Sequence, residues 1–153
     1  MIHFVGAGPG AADLITMRGH QLLTEADVII YAGSLVNPEL LQYAKASCSI
    51  YNSASMTLEE VIDVMKQAEA KNQMTVRLHT GDPSLYGAIR EQMVQLDKDN
   101  ISYDVVPGVS SFCGAAAALK AEYTLPNVSQ SVIITRMAGK TPVPEKEEIA
   151  LLA

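Results

Sequence analysis

A glycine-rich turn near the amino terminus is the first stretch whose residue types could bind a ligand. In "IHFVGAGPGAADLIT" an apolar run ends in a turn where Gly6, Gly8 and Ala11 match the loosened G-x-G-x-x-G/A pattern of dinucleotide-binding domains. Backbone N–H groups in such a turn can hold a pyrophosphate at the start of a helix. The spacing alone leaves three possibilities open: a dinucleotide site, a phosphate loop, or a turn that serves another ligand.

The residues around the turn disfavour a dinucleotide. Pro9 lacks the backbone N–H that a pyrophosphate would need, and Asp13 places a carboxylate near the first helical turn, where it would repel a phosphate. The next predicted strand, in "DVIIYAGSLV", ends without the acidic residue that holds a ribose hydroxyl in such domains. A phosphate loop is excluded because no Gly-Lys-Ser/Thr sequence follows the turn. The turn therefore needs another ligand, or none, and a nicotinamide cofactor stays as an alternative.

Two later stretches repeat the order of strand, special turn and helix. "TVRLHTGDPSLYGAIREQM" passes through Thr80, Gly81 and Asp82, and "YDVVPGVSSFCGAAAALK" passes through a Pro-Gly pair before Ser110 and Ser111. Each turn also has a purely structural explanation, because Asp82 and Ser110 are good helix caps. In an open parallel sheet, however, ligands bind outside the carboxyl ends of the strands, where all three turns would lie. Their shared edge predicts one common site.

Alternating strands and helices must position these turns. A capping box, Thr57 with Glu60, predicts a helix, and Asn37 followed by Pro38 predicts another helix start. Helical spacing predicts buried stripes of Leu58, Val61, Ile62, Met65 and Ala68, and of Leu85, Ile89, Met93 and Leu96. Strands are predicted at residues 2–5, 28–31, 49–51, 75–79, 103–106 and 131–135. This alternation predicts an α/β fold, an open and mainly parallel sheet with helices on both faces.

Composition and charge narrow the possible partners. The 153 residues are 48% hydrophobic, which is enough for one well-buried core. A net charge of −6 without a Lys/Arg cluster argues against nucleic acid and anionic membranes. The sequence shows no membrane-length apolar run, and its two cysteines and three histidines are too scattered for a metal site. We expect a soluble, cytoplasmic protein with free thiols and no metal.

Beyond residue 121 the sequence changes character. The stretch contains the last predicted strand, a proline-punctuated loop and the start of a helix near Pro144. We therefore predict an amino-terminal α/β domain at residues 1–121, and a linker with the first strand and helix of a truncated second domain at residues 122–153. A domain seldom ends on a nascent helix, so the sequence predicts a longer parent protein.

Several stretches, taken in order, resemble one family. "VGAGPGAADLITMRGHQLLTEADVIIYAGSLV", "RLHTGDPSLYGAIREQM" and "PGVSSFCGAAAAL" are similar to the tetrapyrrole methylases, which use S-adenosylmethionine. "YAGSLVNPELL" and "TRMAGKTPVPEKE" look most like the members that methylate C11 of precorrin-4 or cobalt-precorrin-4 in cobalamin biosynthesis. The likeness covers essentially the whole chain. It implies that the Gly-Pro-Gly turn borders a cleft for S-adenosylmethionine and a tetrapyrrole.

The resemblance also implies an architecture and a set of site residues. The methyl donor would be a cosubstrate held between two α/β domains, usually in a homodimer, so we expect the isolated chain to be inactive alone. No catalytic side chain is identified. The residues implied to contact the donor are Pro9, Thr80, Gly81, Asp82, Leu85, Ser110 and Ser111. The residues implied to lie on the tetrapyrrole side are Tyr31, Ser34, Arg136 and Lys140, the last two as partners of its carboxylates.

Other functions remain open at this stage. Methylases of the same fold act on other precorrins, on a modified histidine of a translation factor, or on ribosomal RNA, and fold alone does not choose among them. The acidic charge disfavours RNA. A nicotinamide-dependent oxidoreductase and a structural or dimerisation module without a ligand are the alternatives from other classes.

Overall fold

The computed structural model describes residues 1–139 and 142–152, with the backbone alone described for Ser34. In the described residues, five parallel strands form one sheet in the order β3-β2-β4-β1-β5. The predicted open parallel sheet is therefore confirmed, and the first five predicted strands are correct to within one residue. The strands are β1 (Ile2–Gly6), β2 (Val28–Tyr31), β3 (Ser49–Asn52), β4 (Thr75–His79) and β5 (Tyr103–Val106).

Helices cover both faces of this sheet. On one face, α1 (Met17–Glu25) and a 3-10 helix (Pro38–Tyr43) pack through Leu23 and Leu40 against the β4 residue Leu78. On the other face, α2 (Leu58–Ala70) and α3 (Arg90–Lys98) pack through Met65 and Leu96 against Phe4. Successive side chains of a strand point to opposite faces, so each central strand contributes to both cores.

The α2 helix forms where its sequence predicts it. The Thr57 hydroxyl accepts the Glu60 N–H at 3.2 Å, and the Glu60 carboxylate accepts the Thr57 N–H at 2.7 Å, so both bonds of the capping box are present. Four of the five predicted apolar positions are buried: Val61, Ile62, Met65 and Ala68. Leu58 is half-exposed because it occupies the first turn, at the edge of the buried stripe.

Two helix predictions are wrong in their details. Asn37 does cap the turn that follows it, but the element is the 3-10 helix rather than an α-helix. α3 begins at Arg90, so Asp82 does not cap it, and Leu85 lies outside the helix with 36% of its surface exposed. The physical cause is local: Tyr86 and Ala88 have left-handed φ angles of 57° and 50°, which a right-handed helix cannot include.

The chain divides into two compact units, Met1–Ala118 and Leu119–Ala153. The α4 helix (Ser111–Leu119) begins at one of the two predicted serines and reaches the boundary between the units. In the second unit, a 3-10 helix (Glu145–Glu147) follows Pro144, and α5 (Ile149–Leu152) has a single turn.

The strand predicted at residues 131–135 is not formed. In the described residues no strand lies beside this segment, and Val132 and Ile133 are exposed. Their β-branched side chains favour a strand, yet that preference reflects packing against neighbouring strands, which are missing here. Among the residues that the structure describes, no helix is both long and apolar enough to cross a membrane.

Candidate functional site

Three loops meet at the carboxyl edge of the sheet, and backbone hydrogen bonds join two of them, those after β1 and β4. We call this meeting point, formed by residues 6–10, 80–83 and 107–111, the loop junction. The Ala7 N–H donates to the His79 carbonyl at 2.7 Å, which joins the loop after β1 to the end of β4. Gly8 and Gly81 then exchange two bonds, at 2.9 and 3.3 Å between N and O. The predicted convergence of the turns is therefore present, and backbone groups alone make these bonds.

The loop after β5 joins the same point through close backbone packing. A Cβ atom placed on Gly108 would lie 2.1 Å from the Gly81 carbonyl oxygen and 2.7 Å from the Gly6 Cα. No side chain fits such distances, so glycine is required for the three loops to touch. The glycines of the junction thus bring three separate backbone segments together.

Asp82 fastens the β4 loop to the β5 loop. Its Oδ2 accepts the Gly108 N–H at 2.9 Å, and its Oδ1 accepts the Ser84 N–H at 2.8 Å together with the Ser84 hydroxyl. Burial tends to raise the pKa of the Asp82 carboxyl, but the hydrogen bonds from Ser84 and Gly108 outweigh it and hold the pKa below its ordinary value. The carboxylate is therefore ionised and already occupied by donors from its own chain.

Other residues implied to contact the donor lie around this point. Ser110, which is buried, and Ser111 lie beside Gly81: a Cβ on Gly81 would be 3.6 Å from the Ser110 Cα and 3.7 Å from the Ser111 N. The Pro9 ring packs on Gly114 of α4, where an added Cβ would lie 2.6 Å from the Pro9 Cβ. The structure thus gathers Pro9 with the β4 and β5 loops.

Leu85 and Thr80 complete the predicted set. The Leu85 N–H donates to the Asp82 carbonyl at 3.1 Å, so Leu85 follows the junction in the next turn. The Thr80 hydroxyl oxygen is buried and has no hydrogen-bond partner in the described residues. Closely packed glycine turns, with a buried unpaired hydroxyl beside them, fit a ligand bound against the backbone.

The residues implied to bind the tetrapyrrole are not gathered in the same way. Tyr31 ends β2, next to β4 in the sheet, and its carbonyl accepts the Ser53 hydroxyl at 3.0 Å. Ser34 belongs to the 3-10 helix Gly33–Leu35. Arg136 belongs to the second unit, where its guanidinium donates to the carbonyls of Met137 and Pro142. Lys140 lies outside the described residues.

Sequence reasoning missed a buried cation in β4. Arg77 is 7% exposed, and its guanidinium donates to Gln92 Oε1 and to the Ile30 carbonyl, each at 3.1 Å. Burial lowers its pKa to about 10. Arg77 lines a cavity of about 250 Å³ between β4, α2 and α3. The available signal was a charged residue in the middle of the central strand "TVRLH".

Comparison with known proteins identifies similar chains. The family model described as Tetrapyrrole (Corrin/Porphyrin) Methylases matches residues 1–153. A cobalt-precorrin-4 C(11)-methyltransferase of Methanocaldococcus jannaschii is 60% identical over 97% of this chain and 58% of its own length. A precorrin-4 C(11)-methyltransferase of Mycobacterium tuberculosis is 47% identical over 99% of this chain and 61% of its own length. The chain thus spans about three fifths of these curated relatives.

Solved structures show the same fold. A cobalt precorrin-4 methyltransferase, described as a cobalamin biosynthetic enzyme, superimposes with a TM-score of 0.95 at 47% identity, covering 99% of this chain and 63% of the other. A uroporphyrin-III C-methyltransferase from Thermus thermophilus, in complex with S-adenosylhomocysteine, superimposes with a TM-score of 0.68 at 29% identity. That match covers 85% of this chain and 52% of the other.

Proposed function

The chain belongs to the tetrapyrrole (corrin/porphyrin) methylase family, and from that premise we propose that its loop junction holds S-adenosylmethionine for methylation of C11 of precorrin-4 or cobalt-precorrin-4. The observation that carries the proposal is the meeting of three glycine-containing loops at the carboxyl edge of the sheet, beside the unpaired hydroxyl of Thr80. Relatives that are 47% to 60% identical, and that bear this C11 activity in their names, support the choice of substrate.

For this reaction the protein mainly has to align the methyl donor with the acceptor carbon. S-adenosylmethionine supplies a methyl group on a sulfonium, which a nucleophilic ring carbon can take in an in-line displacement that leaves a neutral thioether. Such a step needs donor and acceptor held at roughly 3 to 3.5 Å in a fixed orientation. The loop junction would contribute rigidity, since Asp82 fixes the β4 loop to Gly108 and Gly8 pairs with Gly81. No nucleophilic side chain is required.

The proposed contact at Thr80 can be tested by calorimetry. The chain is titrated with S-adenosylhomocysteine and, in parallel, with NADH, as the wild type and as Thr80→Val. We expect the thioether product to bind and NADH not to bind. The valine variant should bind roughly five- to tenfold more weakly, because one hydrogen bond contributes about 1 to 1.5 kcal/mol. Its thermal stability should not fall, because the hydroxyl is buried without a partner in the described residues.

Thr75→Val is the matched control. Thr75 also has a buried hydroxyl oxygen without a partner in the described residues, but it lies at the opposite end of β4. This variant should leave the affinity unchanged, and its stability should not fall, because the hydroxyl that it removes is buried without a partner in the described residues. Equal weakening by both variants would remove Thr80 from the site, and tight binding of NADH without S-adenosylhomocysteine would favour the nicotinamide alternative.

The substrate is tested by methyl transfer. Because we expect the isolated chain to be inactive alone, the chain is extended to the full length of its curated relatives for this assay. Isotopically labelled S-adenosylmethionine is supplied with precorrin-4 and with cobalt-precorrin-4, and the product is examined for a label at C11. Label at C11 supports the proposal, and the faster of the two reactions decides whether the substrate already carries cobalt. Label at another carbon, or label only on a different precorrin, would reject C11 of precorrin-4 while leaving the donor site in place.

A further inference from the structure

Arg77 is a buried cation without a countercharge. Its residue is 7% exposed, and among the described residues no carboxylate forms an ion pair with it. Within the described residues, both of its hydrogen bonds go to neutral oxygens, those of Gln92 and Ile30. Buried charges in proteins are normally paired or bound to a ligand, because leaving water is costly for an ion. A buried guanidinium whose acceptors are all neutral remains able to bind an anion.

The guanidinium is held in one orientation with donors to spare. Gln92 is itself buried, and its amide donates to the Ala88 carbonyl at 3.0 Å, which fixes the oxygen that accepts from Arg77 Nε. Arginine has five N–H donors, so these bonds leave others available. Nη2 has no partner in the described residues and is not among the side-chain atoms sealed inside the protein. Its free N–H groups therefore reach the cavity that Arg77 lines.

The cavity suits a small acidic group. Its volume of about 250 Å³ is below the roughly 300 to 1,000 Å³ typical of pockets for drug-sized ligands. It can therefore hold a short carboxylate-bearing side chain or a small free acid, but not a macrocycle. The residues that line it are Ser53, Met56, Thr57, Leu58, Val61, Arg77, Ala88, Glu91 and Gln92.

Carboxylates lie around the rim of the cavity. Thr57 and Leu58 line it at the amino end of α2, but the Thr57 N–H already donates to the Glu60 carboxylate, and Glu59 and Glu60 lie in the first turn, so this helix end contributes little net attraction for an anion. Glu91 lies on the other wall, is exposed and does not pair with Arg77. The buried cation and the small volume therefore determine the ligand chemistry.

We propose that this cavity binds a carboxylate group, which accepts hydrogen bonds from the free guanidinium N–H groups of Arg77. Two sources of that carboxylate are possible: an acidic side chain of the tetrapyrrole, which rests on the proposed function, or a small free acid, which does not. Arginine matches a carboxylate well because its planar fork can donate two parallel bonds.

Nuclear magnetic resonance titration of the unmodified chain tests the cavity itself. Propionate is the probe, and propionamide, nearly the same shape without the charge, is the matched control. We expect the Arg77 Nε–Hε signal and the backbone amide signals of Thr57 and Leu58 to shift saturably with propionate. Propionamide should leave them in place. Equal shifts with both probes, or no shift at these three residues, would overturn the proposal.

Two substitutions sharpen the result. Arg77→Lys keeps the charge but loses the planar fork, so this variant should bind propionate at least fivefold more weakly. Arg90→Lys, at an exposed arginine nearby, is the control and should bind propionate as the wild type does. Glu91→Gln should strengthen propionate binding at least twofold by removing a repulsive carboxylate. If Arg77→Lys fails to fold, the wild-type titration and the Glu91→Gln variant still test whether the cavity binds a carboxylate. Weaker propionate binding in Glu91→Gln would contradict the assignment of Glu91 as a repulsive neighbour and overturn the proposal.

Competition with a polycarboxylic porphyrin and with its methyl ester distinguishes the two possible sources of the carboxylate, a tetrapyrrole side chain and a small free acid. If the acid displaces propionate and the ester does not, the cavity receives a carboxylate arm of the tetrapyrrole. If neither displaces it, the cavity serves a small free acid. S-adenosylhomocysteine binding is measured on the same samples. Propionate binding without S-adenosylhomocysteine binding would reject the proposed function alone, and the reverse would reject the carboxylate site alone.

Discussion

The loop junction and one side of β4 differ in how many of their polar groups have hydrogen-bond partners. At the junction, the Asp82 carboxylate and the N–H groups of Gly81 and Gly108 are paired within the chain, and the Thr80 hydroxyl is the exception among its described side chains. On the side of β4 that faces α2 and α3, the buried polar row of Thr75, Arg77 and His79 has several unpaired atoms: Thr75 Oγ1, His79 Nε2 and Arg77 Nη2. The first region stabilises the fold, while the second loses stability by burying polar groups without partners.

The largest expected effect is at the junction, in Gly108→Ala. The new methyl group would meet the Gly81 carbonyl oxygen at 2.1 Å, so the loops must separate. We expect the free energy of unfolding, measured by urea denaturation, to fall by about 3 kcal/mol. Gly139→Ala is the control, because nothing lies within 4 Å of its Cβ position, and it should change stability by less than about 0.5 kcal/mol. Equal losses in both variants would mean that the junction is not tightly packed.

The next effect concerns the polar row and depends on pH. Burial, with a smaller contribution from the Arg77 cation, lowers the pKa of His79 to about 3, whereas the unfolded value is near 6.5. As pH falls below 6.5 the unfolded state binds a proton that the folded state does not, so stability decreases until about pH 3. At pH 5 the loss should be about 2 kcal/mol relative to pH 7.5.

Urea denaturation at the two pH values measures this effect. His79→Gln should remove the His79 part of the pH dependence, while His20→Gln, at an exposed histidine, should keep the wild-type dependence. If the two variants respond to pH alike, His79 is not buried as a neutral imidazole. Should His79→Gln fail to fold, the wild-type imidazole signals followed from pH 7.5 to 4 give the same decision.

A smaller loss is expected from Asp82→Ala at the junction. Without the carboxylate, the N–H groups of Gly108 and Ser84 lose their acceptor, which should cost about 1.5 kcal/mol at pH 7. Because hydrogen bonds hold the pKa of Asp82 below its ordinary 3.8, its contribution is complete above about pH 4 and is lost as pH falls through the lowered value. The difference between wild type and variant should therefore shrink near pH 3.

Asp82→Ala also tests whether this residue contacts the methyl donor. The exposed Asp13→Ala is the control for the loss of one carboxylate near the junction. A large loss of S-adenosylhomocysteine affinity in Asp82→Ala, beyond that in Asp13→Ala, would support the contact that the family resemblance implies. Lower stability with unchanged affinity would limit Asp82 to fastening the loops together.

The smallest expected stability change is in Arg77→Met. The substitution removes a cation that is costly to bury, but it leaves the oxygens of Gln92 and Ile30 without a donor. These terms oppose each other, so the free energy of unfolding should change by less than about 1 kcal/mol. The exposed Arg90→Met is the control. A loss near 3 kcal/mol would show that Arg77 is needed for folding and would weaken the contrast between the two regions.

The parts of the fold that depend on local pattern could be predicted from sequence. The strands of the sheet are short β-rich runs, and the Thr57 capping box carries its own partner three residues away. The loop junction could be predicted too, because each of its turns follows a strand directly. Residues 131–135 have equally good strand residues, but a strand also needs a neighbour, which local sequence does not encode.

The missed features depend on tertiary context. Asp82 is a plausible helix cap by type, and only the left-handed backbone of Tyr86 and Ala88 shows that the helix begins later. Arg77 is recognisable as a charged residue within a predicted buried strand. Whether its guanidinium has a partner, however, depends on α2 and α3, which come from elsewhere in the chain. The edge of the sheet where the candidate site lies could therefore be predicted from sequence, whereas the contacts made by each side chain could not.

The order of the strands also sets the order in which the molecule can assemble. β1 is synthesised before the other strands of this sheet, yet its two neighbours are β4, beginning at Thr75, and β5, beginning at Tyr103. The apolar residues of β1 therefore remain without neighbouring strands until most of the first unit has been synthesised. Pairing between segments so distant in sequence is also slow. The loop junction needs the turns after β1, β4 and β5 together, so it is completed only after β5 docks. The proposed donor site should therefore form in one late step.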